Sequence, residues 1–254
     1  TADAYKYFIA YNGIDKKLEK IYEGLDLNKL ENVQKAGKKS RSLILSGRFP
    51  KDLRQEILDS YAKICEEYGK DTDVAVRSSA TAEDLPNASF AGAHESYLNV
   101  KGGRGVLESV RLCMSSLFTD RAISYRRDKG FPQLSVYLSA VVQKMVRSDL
   151  ASSGIMFTLD TDTGFENVVL INSIWGVGEL IVKGRITPDR YFVFKPTLKQ
   201  GYKSIISKDL GVKDRKYIYR DGGGLKEVAV TKEDKNKFSL TDEEILILAK
   251  WATI

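Results

Sequence analysis

An arginine, Arg77, stands directly ahead of Ser78, Ser79, Ala80, Thr81 and Ala82. Small residues let a backbone approach a ligand closely, and their hydroxyls and amides donate hydrogen bonds to phosphate oxygens. A guanidinium adds a permanent positive charge in a planar, two-pronged donor geometry. Ala88-Ser-Phe-Ala-Gly92 is a second small-residue stretch, suited to a loop that closes over a nucleotide. The chemistry these residues offer is phosphate binding. Taken alone, so loose a pattern fits a helix N-terminus with a salt-bridged arginine roughly twice as often.

Other chemistry-bearing side chains are sparse. Glu83 and Asp84 are adjacent carboxylates. Such pairs on loops are solvated or cap helices more often than they bind a metal. His94 is the single histidine and follows the second small-residue stretch. Cys65 and Cys113 lie far apart among apolar neighbours, which reads as two buried, reduced thiols rather than a disulfide or a metal pair. With one histidine and no CxxC, a zinc site is not indicated. Gln143 interrupts an apolar run. It is either a buried amide that needs a partner or the outward residue of an alternating strand.

The elements that must position these residues follow from periodicity. Ala2 to Tyr11, Asp15 to Tyr22 and Leu30 to Leu45 read as helices, broken at Asn12-Gly13, Gly24 and Gly47. Pro50 opens another helix, with Leu53, Ile57, Tyr61, Ile64 and Tyr68 as its apolar stripe and Gly69 as its stop. Val74-Ala75-Val76 is a short strand, Tyr97 to Val100 a second, and Val106 to Phe118 an amphipathic helix. Val136 to Val146 alternates and then turns apolar, like a strand entering a buried sheet. Beyond Ser148 the chain becomes β-rich: Ile155 to Leu159, Val168 to Ile174, Tyr191 to Phe194, Ile205-Ile206, Tyr217 to Tyr219 and Glu227 to Val230 are strand candidates. Thr241-Asp-Glu-Glu244 has the capping-box pattern and starts a last helix, Glu243 to Trp251. A lobe boundary is expected near Ser148 to Ser153, giving lobes 1–149 and 150–254.

The 254 residues carry 40 basic and 34 acidic side chains, a formal charge of +6. An excess that small, spread along the chain, does not indicate nucleic acid; a positive lining around a polyanionic small ligand explains it equally well. No apolar run is long enough to span a bilayer and no signal-peptide pattern is present, so the expected setting is the cytoplasm. The chain opens without methionine and stops inside an apparent helix, so flanking residues are expected at both ends.

The run from Arg77 to Val100, RSSATAEDLPNASFAGAHESYLNV, closely resembles the nucleotide-binding domains of the pyruvate phosphate dikinase and phosphoenolpyruvate synthase family, on the synthase side. The resemblance continues through Phe118-Thr-Asp-Arg-Ala-Ile-Ser-Tyr125, Val142-Gln-Lys-Met-Val-Arg-Ser-Asp149 and Ala151 to Asp160, then Trp175-Gly-Val-Gly-Glu179 and Phe192-Val-Phe-Lys-Pro196. It implies an α/β ATP-grasp fold, two lobes with ATP between them. ATP then phosphorylates a histidine on a swivelling domain, with Mg2+ assisting, and that group goes to pyruvate in a separate domain. The implied overall reaction, a phosphotransfer, converts ATP, pyruvate and water to phosphoenolpyruvate, AMP and phosphate. The resemblance also covers the dikinase proper and rifampin-type phosphotransferases, which differ in the final acceptor. A nucleotide-binding module without catalysis is the further alternative.

Carried over by position, Arg77 resembles the phosphate-contacting arginine, Gly92 the loop glycine, Ser96 a hydroxyl on the nucleotide and Gln143 the glutamine near adenine. Glu179, Ser78, Ser79 and His94 fall near the implied ligand without an assigned role. Ala93 departs from the usual glutamine. His94 does not match the phosphorylated histidine, which belongs to another domain. No catalytic residue is therefore expected within the chain. The ATP-binding lysine should lie upstream of Thr1 and the metal-binding glutamate beyond Ile254, so the chain alone is expected to be inactive.

Overall fold

The computed structural model describes residues 1–81 and 95–254. Gly92, His94, Glu83, Asp84 and Ala93 lie outside the described residues. The chain divides into two compact units, Thr1–Met145 with Gly222–Gly224, and Val146–Asp221 with Leu225–Ile254.

The first unit opens with four helices, α1 (Ala2–Tyr11), α2 (Ile14–Tyr22), α3 (Leu30–Ser46) and α4 (Lys51–Tyr68). Strands β1 (Val74–Ala80) and β2 (Ser96–Val100) follow, then α5 (Gly102–Ser116), α6 (Asp120–Asp128) and β3 (Leu138–Lys144). The helix expectations hold because each has a stripe to bury and a stop. Gly69, at φ 109°, ends α4 in a conformation that side chains resist. Tyr61 on α4 donates to the Thr72 carbonyl at 2.8 Å and accepts from the Gly102 amide at 3.0 Å. One phenol thereby ties the entry of β1 to the start of α5.

The three strands form an antiparallel sheet in the order β2-β1-β3. Val74 and Val76 of β1 are fully buried with Val106, Val110, Cys113, Met114 and Leu117 from α5 and its C-cap. Side chains of a strand alternate between faces, so this helix-covered face takes the even-numbered residues of β1. Two expectations need correction here. The strand does not stop at Val76 but runs through Arg77, Ser78 and Ser79 to Ala80, so Arg77 opens no helix. Serines score poorly as strand formers, and pairing with β3 decides the matter instead. Cys65 is only half-buried, while Cys113 is fully buried; both are free thiols.

The second unit begins with a 3-10 turn, Ser148–Leu150, and contains strands β4 (Ser152–Phe157), β5 (Val168–Trp175), β6 (Asp189–Phe194) and β7 (Ile205–Asp209), paired in that order and antiparallel. A separate hairpin joins β8 (Arg215–Tyr219) to β9 (Leu225–Ala229). Short helices α7 (Glu179–Val182), α8 (Lys195–Lys199) and α9 (Lys232–Lys235) lie between strands, and α10 (Asp242–Trp251) closes the chain. Val169, Ile171, Tyr191 and Val193 bury one face of the large sheet against Leu198, Ile245 and Ala249. The capping box at Thr241 and Glu244 is formed with both of its hydrogen bonds.

A buried polar cluster holds this unit's loops. The Asp189 carboxylate pairs with the Lys213 ammonium, both side chains being inaccessible to solvent. It also accepts from the amides of Gly211 at 2.9 Å and Ser239 at 2.8 Å, from the Ser239 hydroxyl at 2.7 Å and from the Tyr191 phenol at 3.2 Å. One carboxylate thus gathers β6, the β7–β8 link and the approach to α10.

Candidate functional site

Strand β1 is central, so its neighbours on both sides are fixed by register. Arg77 lies opposite Ser96 on β2 and opposite Val141 on β3. Ala75 faces Gln143, and Ser79 faces Ser139. Directly opposed residues in an antiparallel sheet share a face. Arg77, Ser79, Ser96, Ser139, Val141 and Gln143 therefore all stand on the face turned away from α5. The alternate residues of β3, Ala140 and Val142, pack into the helix-covered core.

Three of the sequence-predicted residues, Arg77, Ser96 and Gln143, meet on this face, and each is exposed. Arg77 is exposed and makes no ion pair with another described residue. From Ser96 to Gln143 spans two strand spacings, about 10 Å across the sheet, and two residues along it, about 7 Å.

The structure sorts the remaining expectations. Gln143 is not a buried amide: β3 is the edge strand, and alternation turns Gln143 outward while Val142 packs inward. Ser79 shares the Arg77 face. Ser78 points to the helix side, and its hydroxyl donates to the Glu95 carbonyl at 3.5 Å. Glu179 belongs to the second unit, where it opens α7 and pairs with Lys183 at 2.5 Å. The preceding Gly176 is required locally. At φ 78° it brings its α-carbon so near the Tyr217 carbonyl that an added Cβ would lie 2.5 Å from that oxygen.

Two arginines, Arg126 just after the Phe118–Tyr125 segment and Arg147 within the Val142–Asp149 segment, have structural roles. Arg126 is fully buried, donating to Gln133 at 3.0 Å and to the Leu117 carbonyl at 2.6 Å, with its guanidinium 5.6 Å from the Phe118 ring centre. Burial pulls its pKa down to about 10, which still leaves it charged at neutral pH. Arg147 grips Asp149 through two bonds of 2.8 Å and stacks on Tyr219. That grip holds the Asp149 carboxyl below its ordinary range. Val141 and Ser139 were not among the expected site residues. Their types carry no signal, and only register places them beside Arg77.

Among the described residues, no group of three or more His, Cys, Asp or Glu side chains is placed to hold a metal ion. No described helix is long and apolar enough to cross a membrane.

Comparison with known proteins gives this face its context. Residues 1–254 match the family described as pyruvate phosphate dikinase, AMP/ATP-binding domain. The chain is 56% identical over 256 residues to a phosphoenolpyruvate synthase of Aquifex aeolicus, covering 100% of the chain and 30% of that protein. It is 52% identical over 261 residues to the Synechocystis phosphoenolpyruvate synthase, with 100% of the chain and 32% of the relative covered. The Escherichia coli phosphoenolpyruvate synthase is 43% identical over 256 residues, again 32% of its length. The chain thus spans about a third of the relatives it matches. With a family match over every residue, the chain belongs to the pyruvate phosphate dikinase AMP/ATP-binding domain family.

Proposed function

We propose that the chain is the nucleotide-binding part of a phosphoenolpyruvate synthase and that the Arg77 face holds the triphosphate of ATP. The observation that carries this reading is the direct opposition of Arg77 and Ser96, both exposed, with exposed Gln143 on the same sheet face. Arg77 supplies fixed positive charge for phosphate oxygens, and the Ser96 hydroxyl supplies a hydrogen bond beside it. Ser79, on the same face, can add a second hydroxyl. Gln143 offers both a donor and an acceptor for the edge of an adenine ring.

In this reading Gly92 and His94 belong to the loop that approaches the phosphates, and Glu179 carries no assigned role. The two units correspond in this reading to the lobes of an ATP-grasp fold, dividing between Met145 and Val146 rather than at the expected 149 and 150. Mg2+ enters with the nucleotide, because this ion keeps most of its waters and binds phosphate oxygens readily. The chain's own part in the chemistry is alignment and charge neutralisation, the main physical demands of phosphoryl transfer. The phosphoryl group passes from ATP to a histidine on a swivelling domain of the longer protein and then, in a pyruvate-binding domain, towards phosphoenolpyruvate, with AMP and phosphate released. The cytoplasm is the setting in which pyruvate and ATP are both at hand.

The test is titration calorimetry of Mg-ATP into the full-length protein, wild type against Arg77→Ala. Loss of a charged hydrogen bond to phosphate should weaken binding about 10- to 100-fold. Equal affinities would remove Arg77 from the site.

A further inference from the structure

The core of the first unit holds a cation that no described residue balances. Arg126 is fully buried and stays charged at neutral pH. Its Nε donates to the Gln133 side chain and its Nη2 to the Leu117 carbonyl, both neutral acceptors. Nη1 is buried and has no hydrogen-bond partner among the described residues. Lys213, the buried cation of the second unit, has the Asp189 carboxylate directly against it. The electrostatic neighbours of Arg126 are instead two phenols, Tyr5 and Tyr22. Tyr22 and Arg126 stand against the same Phe118 ring, the Tyr22 ring centre 6.1 Å from it and the guanidinium 5.6 Å. The Tyr22 hydroxyl accepts from Ser40 at 3.4 Å, and neither it nor the buried Tyr5 donates to a described residue. Phenols in such places ordinarily donate. The cluster therefore has three unspent donor groups and no free acceptor. A cavity of about 280 Å³ reaches it at Tyr5 and Phe118 and is walled further in by Leu18 and Leu134. The charged residues of its lining, Lys6, Asp15 and Glu19, are all exposed, so water and salt screen them.

We propose that Arg126 holds a small monovalent anion of the halide class on Nη1, with the Tyr5 and Tyr22 hydroxyls as its further donors. A buried cation without a counter-ion is heavily penalised. Water would accept from Nη1 but leave that charge unbalanced, and a doubly charged anion would reverse the imbalance instead of removing it. A halide balances the charge and asks only for donors around it. Arg126 lies on α6 and binds the carbonyl of Leu117, the cap of α5. The ion thus fastens the corner between α5, which covers the first unit's sheet, and α6.

The test is chloride titration of the full-length protein in a gluconate background of constant ionic strength, read by the chlorine-35 NMR linewidth. Crystals soaked in bromide, whose anomalous signal locates the ion, give its position. The expected result is saturable binding in the wild type and a bromide peak within hydrogen-bond distance of Nη1. Arg126→Met should weaken binding about 10- to 100-fold, the scale of a charged hydrogen bond. Tyr22→Phe should weaken it about two- to tenfold, the scale of a neutral one. It removes a single hydroxyl, so it still decides the matter if Arg126→Met fails to fold. Absence of saturable binding, equal affinity in wild type and Tyr22→Phe, or bromide confined to surface lysines would overturn the site. A carboxylate of the longer protein found on Nη1 would overturn it as well, by supplying the counter-charge from the polypeptide itself.

Discussion

Replacing Lys213 by Met removes a buried cation while keeping most of the side chain's length and apolar surface. The structure sets the size of the effect. Lys213 and Asp189 are both inaccessible to water, and deleting one partner of such a pair costs about 3–5 kcal/mol, because the other charge stays buried without compensation. Asp189 would still keep its bonds from the Gly211 and Ser239 amides and from the Ser239 and Tyr191 hydroxyls. Those donors partly replace water, which places Lys213→Met near the lower end, at about 3 kcal/mol. Asp189→Asn should cost more, about 4–5 kcal/mol. It strands the Lys213 ammonium and turns an amide NH2 towards groups that are themselves donors. The double variant should cost little more than Asp189→Asn alone, since each change removes the reason for the other's penalty. The assay is urea unfolding followed by tryptophan fluorescence. Both tryptophans, Trp175 and Trp251, lie in the second unit, so the signal reports that unit. With a slope of about 2 kcal/mol per molar, the Lys213→Met midpoint should fall by about 1.5 M. A loss under about 1 kcal/mol, or single effects that add in the double variant, would show that this cluster is not a coupled buried pair.

Two further predictions concern single side chains. Burial, with a smaller effect from the Glu95 charge, pushes the Cys113 thiol up to about 12, so it stays protonated and unreactive at neutral pH. A thiol reagent at pH 8 should therefore label Cys65 in the folded chain and both cysteines after denaturation; rapid native labelling of Cys113 would contradict its burial. Asp149 has its carboxyl pKa lowered, first by hydrogen bonding to Arg147. A depressed carboxyl adds stability that is present above the unfolded value near pH 4 and is lost as pH falls through the folded value. Melting curves of wild type and Asp149→Asn should then differ at pH 7 and converge in acid, and a gap that persists at low pH would assign the stabilisation to packing.

Much of the architecture was legible because it depends on local rules. The Thr241-to-Glu244 capping box, the stop at Gly69 and the apolar stripe of α4 are each set by residues within one or two helical turns. The strands from Val168 to Ile174 and Tyr191 to Phe194 were equally plain, since short, mainly apolar runs bounded by turn residues have few other uses. The motif also picked out Arg77, Ser96 and Gln143 together, and strand register puts all three on one sheet face.

Their spatial relation was not legible in the sequence. Whether Ser78 or Ser79 stands beside Arg77 depends on strand alternation, and that required knowing that β1 runs on to Ala80. Whether Gln143 is buried depends on β3 being an edge strand, which is a property of the sheet. The Asp189–Lys213 pair joins residues whose separation in sequence carries no pattern. Sequence alone determined most of the longer helices and apolar strands and the residue types able to bind phosphate, because propensity, capping and periodicity act over a few residues. Only the tertiary structure decided the faces, because long-range register puts Arg77, Ser96, Val141 and Gln143 on one surface and sends Ser78 to the other.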